Sequence, residues 1–427
     1  MKRKTGDALT AAIIAGLIGF LVVASIDGIS EQKSEIWLIG SVSISLVCVV
    51  SALAVLYSDH YISPERFKKR EEGTLQDFIT EYKSSFKTKI AIAILLIISI
   101  FILFGFSVTV GQHWTDMAGA FEIIWRHLCG IQVGPEDPTF YADIQIWDVF
   151  MPRALCTIIS GATLAIGGAA MQVSVKNPLA DPYTTGISSG AVFGVAVASI
   201  LGFVIIGSGG YGVVINAFVF ALVPAFIMIA ISKMSNGSVA TIVLVGIAMS
   251  YIFASITTIL MMSADQDTMD QVFVWQVGSL VGITWNQIPI LTIITFSCSA
   301  VLFVLAGKMN IMLLGDNEAR SMGLNIERFR LLLLLIVTLM TACIISFTGI
   351  IGFLGLLSPH IVRVFAGNDN RVVLPLAAIF GASFLMFADV VSRCLIGGEM
   401  PVGVVMSFIG GPLFLLLIVR SKRGAWT

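Results

Sequence analysis

Lys89-Ile-Ala-Ile-Ala-Ile-Leu-Leu-Ile-Ile-Ser-Ile-Phe-Ile-Leu-Phe-Gly-Phe-Ser-Val-Thr109 opens on a lysine and then runs to its end without a charge. A hydrocarbon core about 30 Å thick is crossed by about 20 apolar residues in a helix, so this stretch is long enough to span a bilayer. Runs of the same kind begin near Ala8, Ile36, Lys89, Ala154, Gly186, Gly212, Val239, Gln287, Phe329, Ile351, Val373 and Pro401, about twelve in all. The expected fold is an all-α polytopic membrane protein.

Composition agrees. The 427 residues are 57% hydrophobic and 12% charged, whereas a soluble domain carries about 25% charge because its surface meets water. A net charge of −1 gives no bulk electrostatic case for a nucleic-acid partner. Cys48, Cys129, Cys156, Cys298, Cys343 and Cys394 are scattered, mostly through apolar runs, without a Cys-x-x-Cys pair. They read as packing residues and not as a disulfide framework or a zinc site. The first apolar run follows Met1-Lys2-Arg3-Lys4, but it exceeds the about 7–15 residues of a signal core and a second run follows almost at once, so it reads as a retained span.

Threading the 25 basic residues through this map with the N-terminus inside leaves only Lys33, Arg126, Arg153 and Arg393 outside. That asymmetry is the positive-inside pattern, and it predicts a multi-pass protein of the cytoplasmic membrane with both termini cytoplasmic. Residues 1–57 would form an N-terminal pair of spans, 58–88 a charged inner linker, and 89–427 a core of ten spans. The linker holds Arg66-Phe67-Lys68-Lys69-Arg70-Glu71-Glu72, a solvated juxtamembrane run or a contact for anionic lipid. The outer segment from Gly111 to Met151 is acidic and broken by Gly134-Pro135 and Asp137-Pro138, and is expected to sit over the outer mouth.

Several chemistries are excluded by what the motifs require. No Gly-x-x-x-x-Gly-Lys-Ser/Thr loop occurs; Ala306-Gly307-Lys308-Met309 lacks both the upstream glycine and the magnesium-binding hydroxyl, so the chain does not itself hold ATP. His60, His113, His127 and His360 form no metal-binding pattern, and no Gly-x-Ser-x-Gly elbow is present; no catalytic residue, metal or cofactor is expected. A proton- or sodium-coupled carrier needs buried carboxylates along its path. Asp389 stands almost alone, four residues before Arg393, where an i,i+4 pair near a helix end neutralises itself.

A pore builder driven by a partner remains, with a non-transporting scaffold as the alternative. Asn177-Pro178-Leu179-Ala180-Asp181-Pro182 sets two prolines in a short inner loop and stiffens it. Gly186-Ile187-Ser188-Ser189-Gly190-Ala191 offers small residues for close helix packing or a water-lined wall. Gly315-Asp316-Asn317-Glu318-Ala319-Arg320-Ser321-Met322-Gly323 reads as a short polar helix capped by Gly323, either a plain connector or a surface for a soluble partner.

With these blocks the sequence resembles the permeases of ABC importers for iron-siderophores, haem and vitamin B12, the FecCD type, from about Lys89 to its end. The resemblance rests on Met151-Pro152-Arg153-Ala154, the loop from Asn177 to Pro182, the segment Gly315–Arg330, the block from Gly349 through Ser358-Pro359-His360 to Arg363, and Glu399-Met400-Pro401-Val402-Gly403-Val404. It implies a type II importer permease of ten spans that works as a homodimer, with two ABC ATPase subunits below and a substrate-binding protein above. It also implies a gate at Asn177 and Leu179 with a second constriction at Ser238, Val239 and Ala240. The ATPase coupling loop would be Asp316, Glu318, Ala319, Arg320, Met322, Gly323 and Leu324, and binding-protein docking would fall to Arg153 and Arg393. The cargo implied is an iron chelate (iron-siderophore or haem), with vitamin B12 as the alternative. The chain departs from the family where Phe150 replaces a docking arginine, where Val239 and Ala240 replace small hydroxyl residues, and in its two N-terminal spans, which lie outside the resemblance.

Overall fold

A computed structural model describes residues 75–110, 116–131, 133–234, 238–394 and 400–421. The N-terminal pair of spans, most of the charged linker and Glu399 lie outside the described residues. Every regular element among those described is helical. The sequence makes this unavoidable at membrane depth, because a helix satisfies its own backbone groups where no water can.

The helices are α1 (Leu75–Thr109), α2 (Met117–Leu128), α3 (Phe140–Ile144), α4 (Met151–Ser174), α5 (Ile187–Leu201), α6 (Gly209–Met234) and α7 (Val239–Met261), followed by α8 (Gln266–Val277), α9 (Ile288–Leu314), α10 (Asp316–Ser321), α11 (Ile326–Thr348), α12 (Leu354–Ala366), α13 (Asn370–Cys394) and α14 (Val402–Ser421). A π-helical turn, Gln145–Phe150, joins α3 to α4. By length and composition, 7 stretches can cross a membrane: Lys89–Thr109, Phe140–Ser174, Gly209–Met234, Val239–Met261, Trp285–Leu314, Ile326–Thr348 and Asn370–Cys394. Ile187–Leu201, Leu354–Ala366 and Val402–Leu415 are shorter apolar helices. Each run expected from Lys89 onward corresponds to one of these helices. One boundary differs: α1 begins at Leu75, inside the stretch read as linker, because nothing between Leu75 and Lys89 breaks a helix that the apolar run then continues.

Burial sorts the helices into a centre and a periphery. About three quarters of the residues in the most apolar stretches of the spans that contain α4, α11 and α13 are enclosed by protein, against 11% for α7 and 22% for the span that contains α9. α4 lies at the centre, packed on α1, α9, α11, α12 and α13. It is buried on every side, and its few polar residues, such as Arg153 and Gln172, are enclosed with the rest. Since lipid is as apolar as leucine, such helices associate through close packing, and small residues permit it. A Cβ on Gly168 would lie 1.8 Å from the Gly355 carbonyl oxygen of α12, and one on Gly161 would lie 2.5 Å from that of Gly381 in α13. The small residues after Gly186 serve the same end, with Gly190 and Gly194 of α5 set against the Phe220 and Asn216 carbonyls of α6. Cys156, Cys298 and Cys343 are buried and free, as packing residues should be.

Candidate functional site

The chain leaves α4 through an unusual corner. Lys176 takes a left-handed backbone conformation, φ 49°, and the Lys176 and Asn177 amides donate to the Val173 and Gln172 carbonyls at 3.2 and 3.1 Å. This is a Schellman ending, a position where glycine is usual. From there the expected gate loop is held by its own side chains. The Leu179 amide donates to Asn177 Oδ1 at 2.9 Å, and the Tyr183 amide donates to Asp181 Oδ1 at 2.9 Å. The Tyr183 hydroxyl donates to the Ile351 carbonyl at 2.9 Å, tying the turn to the segment before α12. Asn177 and Leu179 are exposed, whereas Asp181 is buried. Burial pushes the Asp181 carboxyl up to about 6, against the opposing Tyr183 amide.

The expected coupling segment is a one-and-a-half-turn helix, α10, with Asp316 as its first residue. Its end is a second Schellman motif: the Gly323 amide donates to the Arg320 carbonyl at 2.9 Å and the Leu324 amide to the Ala319 carbonyl at 3.0 Å. Gly323 has φ 82°, the left-handed cap its position in the sequence calls for. Ala319 is buried and Leu324 packs on the core, so the segment is seated on the molecule. Asn317, Glu318, Arg320 and Met322 face outward, and Arg320 Nη2 donates to Glu327 Oε1 at 3.1 Å on the surface.

The structure joins these two segments through Asp316 of the expected coupling loop and two residues outside the expected site set, Lys176 and Arg330. Lys176 Nζ bonds Asp316 Oδ1, and Arg330 Nη2 lies 3.5 Å from Asp316 Oδ2. Arg330 is buried and its Nε donates to the Ser174 carbonyl at 2.8 Å, satisfying an oxygen at the C-terminus of α4. Lys176, ahead of Arg330, holds the Asp316 carboxyl below the usual carboxylate range. The sequence held one signal for this: an acidic residue opening a polar helix, with a lysine at the edge of the other inner motif.

Ser238, Val239 and Ala240 stand at the start of α7, Ser238 and Ala240 exposed and Val239 half-buried. Their helix packs against the Pro182–Thr185 turn that ends the gate loop, where Gly246 lets the Thr184 carbonyl approach within 2.4 Å of its would-be Cβ.

The two arginines expected to dock the binding protein stand in the first turn of α4 and the last turn of α13, with their side chains buried within the chain. Arg153 is 3% exposed and its Nε donates to Asp389 Oδ1 at 2.9 Å. Arg393 bonds Asp389 Oδ2, donates to the Ser107 carbonyl at 2.6 Å and sits 5.1 Å from the centre of the Phe150 ring. Asp389 is wholly buried. A carboxylate away from water draws in every cation that can reach it, so the guanidiniums turn inward and bind α4, α13 and α1 together. The i,i+4 pair of the sequence reading is present, but as part of a three-residue cluster. Phe150, in place of an arginine, contributes a ring face to Arg393.

Comparison with known proteins places this geometry. The model of the FecCD transport family matches residues 89–420. A cobalamin import system permease from Halobacterium salinarum is 36% identical over 65% of this chain and 74% of its own length. A hemin transport system permease from Yersinia pestis is 34% identical over 65% of this chain and 84% of its own. Among solved structures, an inward-facing conformation of a transporter assigned to the metal-chelate ABC type superposes with a TM-score of 0.66 at 25% identity, covering 78% of this chain and 99% of that one.

Proposed function

This chain belongs to the FecCD transport family and is an ABC importer permease of that type, and we propose that it carries a bulky metal chelate inward across the cytoplasmic membrane. The working unit is a homodimer joined to two ATPase subunits and served by an extracytoplasmic binding protein. The first-choice cargo is an iron chelate, an iron-siderophore or haem; the hemin permease of Yersinia pestis supports it. A corrinoid such as vitamin B12 is the second, favoured by the identity to the cobalamin permease of Halobacterium salinarum.

The observation that carries this reading is α10, whose exposed polar face is seated on the core at Ala319 while its first residue is bonded to the end of α4. A helix so placed can pass a push from a soluble subunit to the loop at Asn177 and Leu179. Both termini lie on the ATPase side, and ten core spans cross the bilayer. A large cargo is sorted by its binding protein, since the permease touches it weakly. The test is purification of the full-length chain with and without its ABC ATPase partner. The pair should hydrolyse ATP and the chain alone should not; hydrolysis by the chain alone would end the assignment.

A further inference from the structure

We infer that Asp316 is a positioning residue, one carboxylate clasping Lys176 and Arg330 so that movement of α10 is delivered to the gate loop; this rests on the permease reading above. The clasp joins three elements. Asp316 opens α10, Lys176 is the corner from which the Asn177–Pro182 loop departs, and Arg330 stands in the first turns of α11. Arg330 also bonds Ser174, so its guanidinium is fixed to the same helix end from which the loop leaves. A shift of α10 therefore reaches the root of the gate loop through a single pair of side chains.

Backbone strain points the same way. Lys176 occupies the left-handed position that closes a Schellman motif, where a side chain is disfavoured and glycine is at ease. The equivalent position of α10 is Gly323. If Lys176 only ended a helix, glycine would do it better; its ammonium on Asp316 is what the strained conformation retains. Observed strain is a reason to look for function. The charge count agrees: two cations share one carboxylate, so removing Asp316 would leave Lys176 and Arg330 repelling each other.

The experiment uses the full-length chain in complex with its ATPase in lipid nanodiscs, with Leu179→Cys as a reporter. The probe is a maleimide whose labelling rate at position 179 is measured by mass spectrometry, with and without ATP plus orthovanadate. In the Lys176 parent, nucleotide is expected to change that rate at least about tenfold, which is about 1.4 kcal/mol. In Lys176→Gly the change should fall below about twofold, with ATP hydrolysis retained and thermal stability unchanged or raised. Lys176→Arg should keep the response. A full response in Lys176→Gly would overturn the clasp alone. No response in the parent would overturn the gate reading and the clasp with it.

Discussion

Replacing Asp389 by asparagine should be among the most damaging conservative substitutions in the chain. In the native cluster one buried carboxylate faces two buried guanidiniums, with side-chain exposures of 0% for Asp389, 3% for Arg153 and 2% for Arg393. Its net charge is therefore that of one cation, and Ser107 shares the burden of Arg393. Removing the carboxylate leaves two cations unneutralised inside the protein, and breaking one buried pair already costs about 3–5 kcal/mol. Arg153→Leu is a milder change despite deleting more atoms. It leaves Asp389 paired with Arg393, a neutral unit, and its cost should be about 1–2 kcal/mol from lost packing and one lost partner. The order of the two variants carries the argument. Both are measured by denaturant titration and thermal unfolding of the purified protein in micelles. If both variants stay within about 0.5 kcal/mol of wild type, the arginines behave as exposed surface residues, and the buried brace is refuted. A larger loss for Arg153→Leu than for Asp389→Asn would refute the charge accounting.

Other outcomes follow from close contacts and from charge. Gly168→Ala drives a Cβ to 1.8 Å from the Gly355 carbonyl oxygen, so α4 and α12 must separate and stability should drop by about 3 kcal/mol or more, read by thermal unfolding. Gly323→Ala sets a side chain at φ 82° and should cost about 1 kcal/mol and weaken ATPase binding in a pull-down. Glu318→Lys with Arg320→Glu acts on exposed groups, Arg320 pairing with Glu327 at the surface; the fold should hold while transport uncouples from ATP hydrolysis, and unchanged uptake with unchanged ATPase binding would reduce α10 to a connector. The Asp181 carboxyl, pushed up to about 6 by burial from an unfolded value of about 3.9, binds its proton more tightly folded than unfolded. Its contribution is present below the unfolded value and is lost as pH rises through about 6. The wild-type melting temperature should therefore fall between pH 4 and 6.5 more steeply than that of Asp181→Asn.

The helical core was legible because its signal is local: an apolar run from Lys89 or Val239 needs no partner to be recognised, and Gly323 announced its cap by position alone. Which helix lies at the centre was not legible. α4 and α7 are both long and apolar, yet α4 is enclosed and α7 largely exposed, a difference set by where glycines such as Gly161 and Gly168 meet other helices. The pair Asp389–Arg393 could be read from its spacing, but Arg153 lies 236 residues from Asp389, and no short-range pattern brings them together. The shared burial of the two arginines was not legible for that reason: both stand near helix ends, but Asp389, which draws Arg153 inward, belongs to another helix than Arg153. Lys176 and Arg330 escaped notice similarly, since each matters through Asp316.

The most direct test of the account is transport itself. The full-length chain, its ATPase and its binding protein are placed in proteoliposomes, and uptake of radio-iron-labelled haem and of radio-cobalt-labelled cobalamin is followed with and without ATP. The account predicts uptake of the chelate that requires ATP and the ATPase subunit, with haem ahead of cobalamin. ATP-independent uptake driven by an imposed proton gradient, or none of either chelate despite an assembled ATP-hydrolysing complex, would contradict it.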